Sequence, residues 1–115
     1  MQADVPAELL RQESVPKLWR AIGEMQAQPL RLWVSAGGSV TPLHFDSAGS
    51  FLAQLRGTKR VTFFPPAALR GLYPYPIDHP LARRSRVRLH ADAAERRRLF
   101  PLFDELAAPH ARQVE

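Results

Sequence analysis

Apolar positions follow two rhythms along this chain, one helical and one alternating. Leu18, Ile22 and Met25 recur at helical spacing with Trp19 beside them. Ser14 and Pro16 precede them, a capping residue and a proline suited to a first turn. A shorter helix is predicted from Ala7 to Gln12, inside a frayed lead-in covering 1–13. Pro29 ends the helical stretch. From Leu30 the period drops to two, because Leu30, Leu32 and Val34 alternate with Arg31 and Trp33, and a strand is predicted there. Ala36-Gly37-Gly38-Ser39 reads as a turn, Val40 to Asp46 as an extended segment led by Pro42, and Ser47-Ala48-Gly49 as a loop.

Ser50 to Arg56 and Lys59 to Phe64 read as two strands joined by Gly57-Thr58, since glycine at the first central position suits a type II′ hairpin turn. That register pairs Gln54 with Val61 and Leu52 with Phe63. It gathers Ser50, Leu52, Gln54, Lys59, Val61 and Phe63 on one face. Both faces are mostly apolar, so both are expected to be covered, as in a double-layered barrel. Lys59 on such a face needs an anion if it is buried; the plainer reading places it at the hairpin mouth, snorkelling into water. Pro65-Pro66 stops the second strand. Ala67 to Leu72 suggests one helical turn, and Tyr73-Pro74-Tyr75-Pro76 an extended stretch, because a residue before proline is pushed out of the helical region. Asp92 is placed to cap a helix running to about Leu99, and Phe103 to Ala107 adds a turn. Eleven prolines, about double the usual share, favour a strand-and-loop body over a helical bundle. The predicted organisation is a helical lead-in at 1–29 and a β-rich body at 30–115.

At 115 residues the chain makes one domain at most, or part of one, and 45% apolar residues suffice for a core. A chain disordered throughout is excluded. No apolar run approaches the ~20 residues of a membrane span, and the opening MQADVPAELL does not read as a secretory signal. The absence of cysteine removes disulfides, iron–sulfur clusters and thiolate zinc sites, and agrees with a cytoplasmic location. Any metal must be held by histidine and carboxylate. The net charge of +5 resides in one segment: seven arginines between Arg83 and Arg98 face Asp92 and Glu95, and the rest of the chain is neutral. Such a cluster is either a solvated surface or an attractor of nucleic acid or acidic partners. It lacks the interleaved aromatics of a single-strand-binding surface.

The sharpest local feature is His44-Phe45-Asp46. In a strand, residues i and i+2 point to the same side. Imidazole and carboxylate can then converge on one ion and supply two thirds of a 2-His-1-carboxylate triad, which suits Fe(II) and leaves positions open. Alone, such a triplet occurs by chance in many proteins. The longer stretch LWVSAGGSVTPLHFDSAGSFLAQLRGTKRVTFFPP, followed by LYPYPIDHP, resembles the cupin-like Jumonji-C (JmjC) oxygenases. Within them it is most similar to the asparaginyl hydroxylases that inhibit hypoxia-inducible factor and to their bacterial relatives. The resemblance covers about Leu32 to Val87 well and continues more loosely to about Phe103. It joins a Gly-Ser-Val-Thr-Pro lead, His-x-Asp, a Gly-x-Lys turn, a Phe-Pro-Pro stop and a Leu-Tyr-Pro segment in the right order.

The resemblance implies a mainly β double-stranded β-helix and an oxygenase that uses Fe(II), O2 and 2-oxoglutarate to hydroxylate proteins or small molecules. Residue by residue, it implies His44 and Asp46 as metal ligands and Lys59 as the partner of the distal oxoglutarate carboxylate. Thr41 matches a hydroxyl on that same carboxylate, and Gln54 an inward polar position nearby. Ser50 stands where the family has an asparagine that helps hold the co-substrate. Tyr73 and Tyr75 match a segment at the substrate entrance. No catalytic side chain is implied beyond these ligands. The family's second metal-binding histidine follows a Pro-Gly-Asp turn and lies near a Trp-x-His pattern, neither of which occurs here. The remaining histidines, His79, His90 and His110, lack that context and read as surface residues. The expectation is the front half of a barrel. It could be a fragment, a natural truncation completed by another chain, or an inactive remnant, and unpaired strand edges favour self-association. Two other functions stay open: a non-catalytic cupin-like module whose arginines bind nucleic acid or acidic proteins, and a metal cupin that does not use oxoglutarate.

Overall fold

The computed structural model describes residues 2–4, 7–11 and 31–115. The helix predicted from Leu18, Ile22 and Met25, with its Ser14 cap, lies outside the described residues. Two compact units are formed, Met1–Val40 and Thr41–Glu115.

In the first unit, strand β1 (Gln2–Asp4) pairs antiparallel with β2 (Arg31–Trp33), Ala3 opposite Leu32. The predicted alternation holds in β2: Leu32 is half-buried between exposed Arg31 and Trp33. A strand at Gln2–Asp4 was not legible in a lead-in with no apolar alternation; the ladder with β2 creates it. The single helical turn α1 spans Ala7–Leu10, with Glu8 in its first turn where the helix dipole favours a carboxylate. The Ala36–Ser39 turn forms as predicted: the Ser39 N–H donates to the Ala36 carbonyl at 3.3 Å, and Gly38 takes the positive φ of 78° that such a turn demands.

The second unit is organised around Ala68, Val87, Phe103 and Ala107, with Phe64, Leu72, Tyr73, Phe100 and Ala108 packed against them. A 3-10 helix, Pro66–Leu72, starts at the Pro-Pro pair and buries Ala68 and Gly71. Helix α2 spans Ala93–Leu99 and α3 spans Pro101–Leu106, and a second 3-10 turn covers Ala108–His110. Asp92 caps α2 as the sequence suggests, its carboxylate accepting from the Ala94 N–H at 2.9 Å and the Glu95 N–H at 3.0 Å. Pro101 opens α3 where no backbone donor is needed. Strand β3 (Val61–Phe63) pairs antiparallel with β4 (Arg112–Val114), Val61 opposite Val114 and Phe63 opposite Arg112. Gln113 Nε2 donates to Thr62 Oγ1 at 3.1 Å across this ladder, and Arg60 meets Glu115 at 3.2 Å beyond it.

Two expectations are corrected here. The hairpin pairing Gln54 with Val61 and Leu52 with Phe63 does not form: 51–60 holds no strand, and β3 pairs with β4. Gly57 does adopt positive φ, 77°, so the turn residue behaves as expected while the ladder does not. A lone hairpin is marginal without something over its apolar face, and Phe51, Leu52 and Leu55 remain exposed. Secondly, Tyr73 is not extended but left-handed, φ 47° and ψ 59°, closing the 3-10 helix ahead of Pro74. Avoiding the right-handed helical region before proline does not force a residue into the β region. The described strands are each three residues long, and helical turns carry Ala68 and Phe103 into the core.

Gly71 is where the 3-10 helix and α3 approach most closely. A Cβ there would lie 2.9 Å from Leu106 Cβ, 3.0 Å from the Leu102 carbonyl oxygen and 3.1 Å from Ala107 Cβ. Gly71→Ala is expected to cost about 1–3 kcal/mol by overpacking, read as a lower urea midpoint. The cap makes a second prediction. The Glu95 and Ala94 N–H groups, Glu95 first, hold the Asp92 carboxyl below its ordinary value of 3.8. Its stabilising contribution is therefore complete above that value and lost as pH falls through the lower folded one. Asp92→Asn should flatten the acid limb of a stability-against-pH curve below about pH 4.

Candidate metal centre

Backbone pairing between three segments builds the site. The Phe45 N–H donates to the Arg83 carbonyl at 3.0 Å and the Ser85 N–H to the Leu43 carbonyl at 2.9 Å, setting His44 opposite Arg84 in an antiparallel bridge. On the other edge of the arginine segment, the Tyr75 N–H donates to the Arg84 carbonyl and the Arg86 N–H to the Tyr73 carbonyl, both at 3.0 Å. Pro74 faces Ser85 in that second bridge. It occupies the position between the bonded pairs, where a residue without an N–H costs nothing. Residues 83–86 are thus the middle strip of three. Ser85 anchors the strip inward: its hydroxyl donates to the Leu72 carbonyl and accepts from the Val87 N–H at 2.9 Å. Arg83 reaches back to Ser47 Oγ at 3.2 Å.

On this scaffold His44 Nδ1 lies 2.8 Å from the Pro42 carbonyl oxygen. A carbonyl can only accept, so Nδ1 carries a hydrogen, and in the neutral ring the lone pair then sits on Nε2. Nε2 lies 4.0 Å from Asp46 Oδ1, with the two side chains 42% and 60% exposed. The extended backbone therefore puts residues i and i+2 on one side, as the triplet implied. Metal–ligand bonds of ~2.1 Å set neighbouring donors roughly 3 Å apart. The observed spacing is wider by about 1 Å, which small rotations of exposed side chains close. A backbone carbonyl on the far ring nitrogen is the usual outer support of a ligating histidine. These two donors fit a metal ion; among the described residues no third histidine, cysteine, aspartate or glutamate joins them in a cluster.

The other candidates are spread out. Thr41, Ser50, Gln54 and Lys59 are all exposed and belong to no strand or helix. Gln54 Nε2 donates to the Arg56 carbonyl at 2.9 Å. Tyr73 is committed to packing: its hydroxyl accepts from the Leu102 N–H at 2.9 Å, and its ring meets Phe100 edge-on at 5.1 Å. Tyr75 is half-buried and stacks on His79 at 4.4 Å. His79 Nδ1 accepts from the Leu81 N–H at 3.0 Å, and His79, His90 and His110 are all exposed. Arg84, opposite His44, is the neighbour that sequence reasoning missed. Its one signal was the alternation Arg84-Ser85-Arg86-Val87-Arg88 inside what looked like an undifferentiated charge run.

Over residues 2–115 the sequence matches the cupin-like domain family. The chain belongs to that family. This cupin-like chain is similar to JmjC proteins: it is 39% identical over 54 residues to lysine-specific demethylase JMJ30 of Arabidopsis thaliana, which is 47% of this chain and 13% of that protein. To Jumonji C domain-containing protein 5 of Drosophila melanogaster it is 33% identical over 69 residues, 60% of this chain and 16% of that protein. To lysine-specific demethylase 8 of Danio rerio it is 39% identical over 46 residues, 40% of this chain and 11% of that protein. The cupin-like chain thus spans under a fifth of the length of these relatives. No solved structure matches it significantly. No described helix is long and apolar enough to cross a membrane.

Ser85 satisfies two backbone groups in the strip that pairs with His44, so Ser85→Ala leaves the Leu72 carbonyl and Val87 N–H without that partner. The expected loss is about 1–3 kcal/mol, measured by urea denaturation, with faster amide exchange at Phe45 and Tyr75 as the strips loosen.

Proposed function

We propose that the chain forms part of an Fe(II)- and 2-oxoglutarate-dependent oxygenase of the JmjC type, with the double-stranded β-helix as its complete fold. The observation that carries this reading is the His44–Asp46 pair, with Nδ1 held by the Pro42 carbonyl and Nε2 turned toward the carboxylate. When bound, Fe(II) with 2-oxoglutarate and O2 supplies oxidative decarboxylation coupled to hydroxylation of a C–H bond. The chain's own residues hold and orient. His44 Nε2 and Asp46 bind the metal, and Pro42 keeps the second ring nitrogen protonated so that the lone pair stays on the metal side. Lys59 and Thr41 are assigned to the far carboxylate of the co-substrate, with Ser50 and Gln54 beside it. In support, the Lys59 ammonium has no carboxylate partner among the described residues.

Relatives named as lysine-specific demethylases favour a protein substrate over a small molecule. The Gly-Ser-Val-Thr-Pro lead and the Leu-Tyr-Pro-Tyr-Pro segment support placing the chain near the asparaginyl hydroxylases within the JmjC group. An anaerobic Fe(II) titration, with Co(II) absorption as a spectroscopic proxy, tests the site. His44→Ala and Asp46→Ala should each weaken metal binding by at least about tenfold. Lys59→Ala should weaken 2-oxoglutarate binding by about tenfold while leaving the metal isotherm in place. Metal affinity that survives loss of both His44 and Asp46 would overturn the proposal.

A further inference from the structure

The arginine segment alternates strictly in burial. Arg84, Arg86 and Arg88 are exposed, whereas Ser85 is half-buried and Val87 is 3% exposed. The inward residues are tied to Leu72 and to the core. The outward ones form a stripe of positive charge that begins opposite His44. Directly opposed residues of an antiparallel pair share a face, with Cβ atoms about 5 Å apart. Arg84 therefore stands on the side of the bridge that carries His44 and, two residues on, Asp46. Arg86 is fixed over Tyr73, its Nε 3.3 Å from the Tyr73 carbonyl oxygen and its guanidinium 5.8 Å from the ring centroid. The guanidinium groups of Arg84 and Arg88 have no hydrogen bond or ion pair among the described residues. Asp46, on the same side of the bridge as Arg84, faces His44, Asp92 is engaged by the start of α2 and Asp104 by Arg97 at 3.0 Å.

We infer that Arg84 and Arg88 receive an acidic, extended segment of a substrate protein and lead it to the His44–Asp46 pair. The inference rests on the oxygenase reading only for what happens at the end of the stripe. The chain bends at Arg86, yet Arg84 and Arg88 stay exposed at alternate positions on either side of it, and a peptide with glutamate at alternate positions offers a carboxylate to each of the two free guanidinium groups. The planar fork of each guanidinium accepts a carboxylate through two bonds. A single-stranded nucleic acid fits less well, because Ser85 and Val87 are turned inward, Tyr73 opposite Arg86 is committed to Phe100 and the Leu102 N–H, and Tyr75 opposite Arg84 is already stacked on His79.

Fluorescence anisotropy with the full chain tests this against three labelled probes: a 12-residue peptide with glutamate at alternate positions, the same peptide with glutamine, and a single-stranded DNA dodecamer. The glutamate peptide should bind at least about tenfold tighter than the glutamine peptide. Arg84→Gln with Arg88→Gln should abolish that preference, and lysine at both positions should restore only part of it. Arg98→Gln, on α2 and outside the stripe, should leave it intact, with circular dichroism reporting the fold of every variant. Equal binding of the two peptides, an equal loss in Arg98→Gln, or tighter binding of the DNA would each overturn the inference. Failure of the metal titration would sink the oxygenase reading and leave these isotherms standing; loss of the peptide preference would do the reverse.

Discussion

The second unit depends on the way Tyr73 is held. A non-glycine residue in the left-handed region is strained by roughly 1–3 kcal/mol, and here the hydroxyl, ring and carbonyl all have partners that offset it. The hydroxyl takes the Leu102 N–H, the ring packs on Phe100, and the carbonyl takes both the Arg86 N–H and its Nε. The left-handed turn redirects the chain from the 3-10 helix into the strip containing Pro74 and Tyr75. That strip sets the register of 83–86, and 83–86 in turn sets the register of His44. Tyr73, which the family resemblance matches to the substrate entrance, is therefore a joint between the helical core and the segment carrying His44.

Charge and fold are coupled at the same place. An arginine run is ordinarily a solvated face, and Arg97 and Arg98 on α2 fit that description. Arg84 and Arg86 differ because their backbone is the middle strip, bonded on both edges. Their side chains are carried on a fixed register, with Ser85 and Val87 locking the alternate positions inward. Position in the ladder, more than the number of positive charges, separates these residues from the rest of the run.

What the sequence disclosed was local. The Asp92 cap, the Ala36–Ser39 turn, the helical turn after Pro65-Pro66 and the shared side of His44 and Asp46 all follow from neighbouring residues, whose geometry is set by short-range sterics and hydrogen bonds. Partner choice was not disclosed. The sequence offered Val61 and Phe63 an adjacent strand through Gly57-Thr58, but Arg112–Val114, some fifty residues away, takes the ladder. Likewise nothing in the run from Arg83 to Arg98 announces that Arg84 lies opposite His44. Pairing across forty residues is decided by competition between whole segments, and alternation alone leaves it undetermined. The placement of Ser50, Gln54 and Lys59 was argued from the face of a hairpin that does not form as well as from family motifs, that of Thr41 from motifs alone, and their exposed segment adds no ladder to support it.

The attachment of residues 41–60 has a thermodynamic meaning of its own. The core is assembled from residues between Phe64 and Ala108. Among the described residues, the backbone bonds joining the earlier segment to that body are those from Phe45 and to Leu43. Two such bonds can open and reclose without disturbing Phe103 or Val87, so this stretch has a local unfolding equilibrium far shallower than that of the whole unit. Anything gripping both His44 and Asp46 would draw on that equilibrium, and part of its affinity would appear as protection of the Phe45 amide against exchange rather than as a higher melting temperature.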